Sequence, residues 1–156
     1  IQFDRWRELG VTIKIPYKPG VDRWIRGASI EIRRVIGDAD LRELARDAKV
    51  TEATFYDVDQ LSQMIAAFHS VNSSIYCVLS IQHQEDLEGI TATVLQDIDK
   101  IELHGKWVSD SFLADFEIPK SISKCLLYDL SASDDSIKKF EARYPTVYIV
   151  AHRNAN

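Results

Sequence analysis

Short apolar segments alternate along this chain with segments whose apolar residues recur at helical spacing, and this alternation is the feature that most constrains the fold. From Ser29 onward the order reads strand then helix, four times over, and closes with a strand at 146–151. The segment 75–81 is nearly all apolar, as expected for a strand covered on both faces. The pattern predicts an α/β fold with a mostly parallel sheet and helices on both faces.

The N-terminal part follows a different pattern. Val11, Ile13 and Ile15 alternate with polar residues, which indicates a half-buried strand, and Pro16 restricts that strand to an edge. We therefore expect an N-terminal antiparallel edge strand or hairpin. An α+β fold is the alternative, because β-branched residues weaken the helical pattern of 90–110 and would suit strands there.

The 156 residues fit one domain, so 1–156 is interpreted as a single α/β domain, either processed or excised from a longer protein because it begins at Ile1. No internal repeat is apparent. The apolar runs are too short for a bilayer span, so we expect no membrane contact. Cys77 and Cys125 lie in apolar runs and are predicted to be buried, inert thiols. Isolated free thiols favour a soluble, cytoplasmic protein.

The strands predicted to be most buried supply the expected core. Its members are Ile75, Val78, Ile81, Leu126, Leu127, Val147 and Ile149. Catalytic motifs are missing: no two of the six glycines lie close enough for a dinucleotide fingerprint or a phosphate-binding loop, and no serine has the flanking glycines of a nucleophile elbow. A binding role is therefore favoured over catalysis.

Several polar residues follow predicted strands, and the carboxyl ends of parallel strands are where α/β folds bind ligands. The candidate catalytic residues are Asp57, Asp129, His83 and His152, and the candidate metal ligands are Asp57, Asp59 and Asp129. Carboxylates can bind Mg²⁺, and a histidine can act as general acid or base. One alternative is thus a metal-dependent phosphoryl or phosphodiester hydrolase with a divalent metal cofactor. Helix capping explains Asp59 and Ser133 equally well.

A second feature is a basic, aromatic N-terminal segment. Between residues 5 and 34 there are eight basic and three acidic residues, with tryptophan and tyrosine interleaved. The candidate partner-binding residues are Arg5, Arg7, Arg23, Trp24, Arg26, Arg33 and Arg34. Arginine and tryptophan are typical of protein interfaces, and cations with aromatic rings also suit nucleic acid.

These observations favour a non-catalytic binding or regulatory domain that needs no cofactor and contacts a protein partner through the N-terminal hairpin. Nucleic-acid binding is an alternative, although the net charge of −5 disfavours non-specific contact with phosphates. The hydrolase is the other alternative. We expect the strand order to decide whether the candidate catalytic residues converge.

Overall fold

The computed structural model describes residues 3–14, 27–56, 59–90 and 92–153. Within these ranges, seven strands form a mostly parallel sheet in the order in which they occur along the chain, and helices connect most of them. The first two strands pair antiparallel. The predicted α/β class, with its antiparallel N-terminal strand, is confirmed. None of the described helices combines the length and apolarity that a membrane span requires.

The chain forms two compact units, residues 1–78 and 79–156. The first contains α1 (Phe3–Glu8), β1 (Val11–Lys14), β2 (Ala28–Ile32), α2 (Asp38–Asp47), β3 (Val50–Tyr56) and α3 (Leu61–Val71). Strand β4 (Tyr76–Ile81) begins in the first unit and ends in the second. The second unit also contains α4 (Gln84–Glu88), α5 (Ala92–Leu95), β5 (Lys100–His104), α6 (Asp110–Asp115), β6 (Lys124–Tyr128), α7 (Asp134–Arg143) and β7 (Tyr148–His152).

In the first unit, β2 and β3 pair parallel and are mostly buried, and β1 lies antiparallel against β2. Helices α2 and α3 contact each other. Their apolar faces bury Leu41 and Leu44 from α2 and Met64 and Phe68 from α3. Each such side chain stabilises the fold by about 1.5–3 kcal/mol through burial. Within each helix these residues lie three or four positions apart in the sequence, the spacing expected for the buried face of an amphipathic helix.

In the second unit, two serines define where helices begin. The hydroxyl of Ser109 accepts a hydrogen bond from the backbone N–H of Phe112, and the hydroxyl of Ser133 accepts one from Ser136, both at 3.2 Å. Each bond satisfies an N–H that the first helical turn leaves without a partner. The predicted cap at Ser133 is thus confirmed, whereas residue 60, and not Asp59, precedes α3 as its N-cap. Helices α6 and α7 bury Leu113, Ile137 and Phe140.

The segment around 90–110, for which the sequence favoured a helix with strands as the alternative, contains both kinds of element. Helix α4 is followed by Gly89 as its C-cap, α5 spans four residues, and β5 begins at Lys100. Glycine and β-branched residues cost helical stability, and Ile101 and Leu103 alternate with polar neighbours as in a strand. The alternative that placed strands in 90–110 is therefore correct for residues 100–104. Because this strand pairs parallel with β6, the fold is α/β and not α+β.

The predicted core is correct in part. Ile75, Val78, Ile81 and Leu127 are buried, whereas Leu126, Val147 and Ile149 are half-exposed. Strand β4 is buried from Cys77 to Ile81, as predicted for a strand covered on both faces. In β5 and β6 only alternate residues are buried, so one side of each strand remains partly open. Both predicted thiols, Cys77 and Cys125, are buried, and neither forms a disulfide.

The second unit contains an internal repeat that the sequence analysis did not detect. Lys100 pairs with Lys124 and Lys124 with Tyr148, an offset of 24 residues that persists to the ends of β5, β6 and β7. In the first unit, β2 and β3 pair with offsets of 22 and 23. The repeat is structural, since the paired residues are mostly different amino acids.

Candidate functional site

One side of β5, β6 and β7 forms a partly exposed surface, which we call the open face. It carries Lys100, Glu102, His104, Lys124, Leu126, Tyr128, Tyr148, Val150 and His152, none of which is buried. The intervening residues of β5 and β6 are buried. Because side chains alternate between the two faces of a strand, this pattern separates an inward row from an outward row. The 24-residue offset places the outward residues in columns across the three strands.

The column at the last residues of the three strands contains three stacked rings. The centroids of His104 and Tyr128 lie 4.5 Å apart with an interplanar angle of 12°, and those of Tyr128 and His152 lie 4.8 Å apart at 10°. Neighbouring strands are spaced by about 4.8 Å, so rings at equivalent positions stack directly on one another. We call His104, Tyr128 and His152 the ring column. It fixes the positions of three side chains on a surface that solvent reaches.

A second column ends in an exposed aromatic residue. The ammonium of Lys124 lies 5.5 Å from the centroid of the Tyr148 ring, within the range of a cation–π contact. Tyr148 is 63% exposed, which is high for a large aromatic side chain. The open face therefore presents a tyrosine at one edge, with a lysine beside it.

The candidate catalytic residues at the carboxyl ends of these strands have structural partners. Asp129 has a φ of 52°, forms an ion pair with Lys106 at 3.0 Å, and donates its backbone N–H to the carbonyl of His152. His152 itself is exposed and stacks on Tyr128. The strand order thus brings the backbones of Asp129 and His152 together, and the side chain of Asp129 pairs with that of Lys106.

The other members of the predicted carboxyl-edge cluster are less informative. His83 precedes α4, and its side chain is exposed without a hydrogen bond to the described residues. Asp59 is exposed in the first unit, and Asp57 lies outside the described residues. Within the described ranges, no three histidine, cysteine, aspartate or glutamate side chains form a group that could bind a metal. The metal site remains a prediction that depends on Asp57.

The described part of the N-terminal basic segment uses its arginines internally. Arg5 forms ion pairs with Asp40 at 2.7 Å and Glu43 at 2.6 Å, and lies over the ring of Trp6, which is completely buried. The hydrogen bond that Arg5 donates to the carboxylate of Glu43 raises the pKa of Arg5 and lowers the pKa of Glu43. Arg5 therefore stabilises the contact between α1 and α2.

Two further arginines were predicted to bind a partner at the end of β2. Arg33 forms an ion pair with Glu31 at 3.1 Å and lies 4.0 Å from the Tyr56 ring centroid. Arg34 is exposed, and its side chain lies against Gly10. Arg7 is also exposed, with Asp4 at 4.0 Å. Arg23, Trp24 and Arg26 lie outside the described residues. Of the described arginines that were predicted to bind a partner, Arg7 and Arg34 thus remain available for that role.

A cysteine–histidine pair in the first unit was not predicted. The sulfur of Cys77 lies 3.6 Å from Nε2 of His69, and this nitrogen lies 3.2 Å from the carbonyl oxygen of Ile75. If Nε2 donates its proton to that carbonyl, the same nitrogen cannot accept the thiol proton. Cys77 is completely buried, so a substrate cannot reach its sulfur. The geometry favours a structural role for this pair.

The open face was missed because its residues come from three segments that look unrelated. Lys100, Lys124 and Tyr148 share no local motif, and their equivalence depends on the 24-residue spacing. Because most of the paired residues are different amino acids, comparing the sequence with itself at that offset gives little signal for the columns. Comparison with family models, with curated proteins and with solved structures finds no match for this chain. A function for this chain can therefore be inferred only from the geometry of its described residues.

Proposed function

We propose that this chain is a non-catalytic protein-binding domain that contacts its partner through the open face of β5, β6 and β7. The observation that carries the proposal is a parallel sheet with one side partly exposed. Parallel sheets are generally covered on both faces, whereas solenoid repeat proteins stack similar units and bind partners on extended open surfaces. Leucine-rich repeats have a strand in each repeat and periods of roughly 20–29 residues, a range that includes the present offset.

The side chains on the open face suit a protein partner. Tyr128 and Tyr148 offer aromatic area with a polar end, and tyrosine is enriched in protein interfaces. Lys100 and Lys124 add two cations, against one carboxylate from Glu102. This composition favours a partner surface that combines apolar contacts with acidic side chains. The stacking of the ring column reduces the side-chain entropy that binding would otherwise cost.

The alternatives have less support in the described residues. The hydrolase needs carboxylates that can bind a metal, and Asp129 is paired with Lys106. Nucleic-acid binding needs cations that can meet phosphates, and Arg5 and Arg33 form ion pairs within the chain. We therefore propose the binding or regulatory role that the sequence favours. The binding surface, however, is placed on the open face of the second unit and not on the N-terminal segment. Two cysteines that form no disulfide support our further proposal that the domain works in the cytoplasm.

Site-specific photo-crosslinking in cells tests the proposal. A benzophenone amino acid replaces Tyr148 on the open face, Lys139 on the exposed side of α7, or Val35 beside Arg34. The proposal predicts one defined protein adduct from position 148 and none from position 139. An adduct from position 35 alone would return the binding surface to the N-terminal segment. No defined adduct at any of the three positions would overturn the protein-binding function.

A second step separates a specific surface from chance capture. The captured protein is purified and its affinity measured for Tyr148→Ala and for Lys124→Glu, with Lys139→Glu as the matched charge control. We expect Tyr148→Ala to cost about 2 kcal/mol or more if this tyrosine is an interface hot spot, and Lys139→Glu to have no effect. Equal losses from both lysine changes would indicate general electrostatic attraction and contradict binding through the open face.

A further inference from the structure

The second unit contains an apolar pocket of about 910 Å³ that is lined by residues other than those of the open face. Its apolar walls come from α4, α5, the β5–α6 connection, α6 and the loop after α6. They include Leu87, Leu95, Trp107, Phe112, Phe116 and Ile118. Pockets of about 300–1,000 Å³ with mostly apolar walls are typical of sites for small organic ligands.

The aromatic wall of this pocket is fixed in the free protein. The indole N–H of Trp107 lies 3.1 Å from the carbonyl oxygen of Gln82 and 2.8 Å from that of His104, so it donates to backbone on two sides. The Trp107 and Phe112 rings meet edge to face with centroids 5.0 Å apart, and Phe112 stacks on Phe116 at 5.1 Å. A ligand would therefore meet a preformed surface, which lowers the entropy cost of binding.

Arg143, the last residue of α7, and Tyr144, the C-cap of α7, hold the loop that follows α6. The guanidinium of Arg143 donates to the carbonyl oxygens of Leu113, Ala114 and Phe116 at 2.8, 2.6 and 2.9 Å. The hydroxyl of Tyr144 accepts from the backbone N–H of Ile118 at 3.2 Å and donates to the Phe116 carbonyl at 3.3 Å. These bonds fix the backbone that carries Phe116 and Ile118 into the pocket.

The rim of the pocket is acidic. Glu88, Asp115 and Glu117 line it together with one cation, Lys120, and all four side chains are exposed. None of them forms an ion pair with another described residue. Three carboxylates against one ammonium give the rim a negative field, which attracts a cation and repels an anion. The faces of the aromatic rings add attraction for an ammonium group.

We propose that this pocket binds a small organic cation, an ammonium attached to an aromatic or aliphatic body. The apolar body occupies the space between Leu87, Leu95 and the aromatic wall, and the ammonium lies toward the acidic rim. This site is independent of the open face, so it goes beyond the proposed binding of a protein partner. It gives the second unit a ligand site on a different surface.

A matched pair of probes tests the proposed charge preference. 4-Phenylbutylammonium and 4-phenylbutyrate share a phenylalkyl body and carry opposite charges. Each is titrated at low salt and neutral pH into the isotopically labelled full chain, and amide and indole N–H resonances are followed by NMR. We expect shifts at Trp107, Leu95 and Ile118, and about fivefold tighter binding of the ammonium, as expected for one or two exposed ion pairs. High salt should reduce that preference.

Variants assign the preference to the rim. Asp115→Asn combined with Glu117→Gln should bring the two probes to nearly equal affinity while preserving the fold. The matched control is Asp135→Asn with Glu141→Gln, two exposed acidic residues of α7 that do not line this pocket; it should leave the preference unchanged. Phe112→Ala should weaken both probes about threefold or more through lost apolar contact.

Several results would overturn the proposal. Equal or tighter binding of 4-phenylbutyrate would contradict the cationic ligand class. Shifts that map away from Trp107 and Leu95 would contradict the site, and so would the absence of shifts with both probes. If a lysine-rich helical peptide shifted the pocket resonances while 4-phenylbutylammonium did not, the pocket would bind a basic protein segment and not a small organic cation.

Discussion

The ring of Tyr128 lies 4.8 Å from the ring of His152, and the two rings are within 10° of parallel. The residues are 24 positions apart and occupy equivalent positions on neighbouring parallel strands. Their contact is thus a direct consequence of the structural repeat in the second unit. It also places two aromatic side chains on the surface that we propose as the binding site.

A double-mutant cycle on this pair measures how much the ring column stabilises the unit. Tyr128→Ala, His152→Ala and the double variant are compared by urea unfolding. We expect a coupling free energy of about 0.5–1 kcal/mol, because stacked aromatic pairs contribute this much beyond their buried area. A matched cycle on Tyr128 and Lys139 should give no coupling. Additive effects in the first cycle would mean that the two rings do not interact in solution.

The thiol of Cys125 should be almost unreactive in the folded protein. Burial raises its pKa to about 12, so very little thiolate is present at pH 8. We expect slow labelling by a disulfide reagent in buffer and fast labelling of both thiols in denaturing urea. Cys77, which is equally buried, should behave in the same way. Fast labelling of native Cys77 would show that its contact with His69 activates the sulfur and would restore a nucleophilic role.

Asp110 should make the second unit sensitive to acid. Its carboxylate accepts the backbone N–H of Ser133 at 2.6 Å, and this bond lowers the pKa of Asp110. A lowered pKa stabilises the folded state fully above the unfolded value of about 3.9, and the stabilisation is lost as pH falls through the lower folded value. We expect Asp110→Asn to be less stable than the native chain near neutral pH.

The test of this linkage is urea unfolding of both proteins from neutral pH down to about pH 2.5, below the unfolded pKa. The difference in free energy of unfolding should shrink as the native carboxyl group becomes protonated. Asp135→Asn on the exposed side of α7 is the control and should show no such trend. A difference that is constant with pH would indicate that the hydrogen bond contributes through its geometry and not through the charge.

Trp6 should act as a core residue and not as a partner contact. It is completely buried, so Trp6→Ala should lower the free energy of unfolding by about 3–5 kcal/mol, the usual effect of removing a large buried aromatic residue. Arg7→Ala, on an exposed neighbour, should change it by no more than about 0.5 kcal/mol. Urea unfolding checks both. A Trp6→Ala protein of native stability would contradict the packing of α1 on the first unit.

The sequence predicted the elements of the fold better than their exposure. Helical spacing identified the buried faces of α2 and α3, and the apolar run 75–81 identified β4, because burial imposes these patterns on local sequence. The sequence leaves 90–110 ambiguous between helix and strand, since apolar residues three and four positions apart come from short helices and a strand. Periodicity alone cannot separate such a mixture from one helix.

The candidate sites illustrate a second limit. Basic residues near the N-terminus look available when only the sequence is considered, but Arg5 finds Asp40 and Glu43 at a distance of more than 30 positions along the chain. Conversely, Lys124 and Tyr148 form one surface although no local motif connects them. The first outcome depends on the contact between α1 and α2, and the second on the register of β6 and β7, so neither follows from neighbours in sequence.

Hydroxyl-radical footprinting of the complex with the captured partner tests the central claim most directly. Tyr148 on the open face is 63% exposed and Val35 beside Arg34 is 47% exposed, so both should be oxidised in the free chain. The oxidation of each residue in the complex is compared with its own oxidation in the free chain. If the open face binds the partner, oxidation of Tyr148 and His152 falls severalfold in the complex while that of Val35 is unchanged. Protection of Val35 with Tyr148 still fully reactive would contradict the account and place the interface on the N-terminal segment.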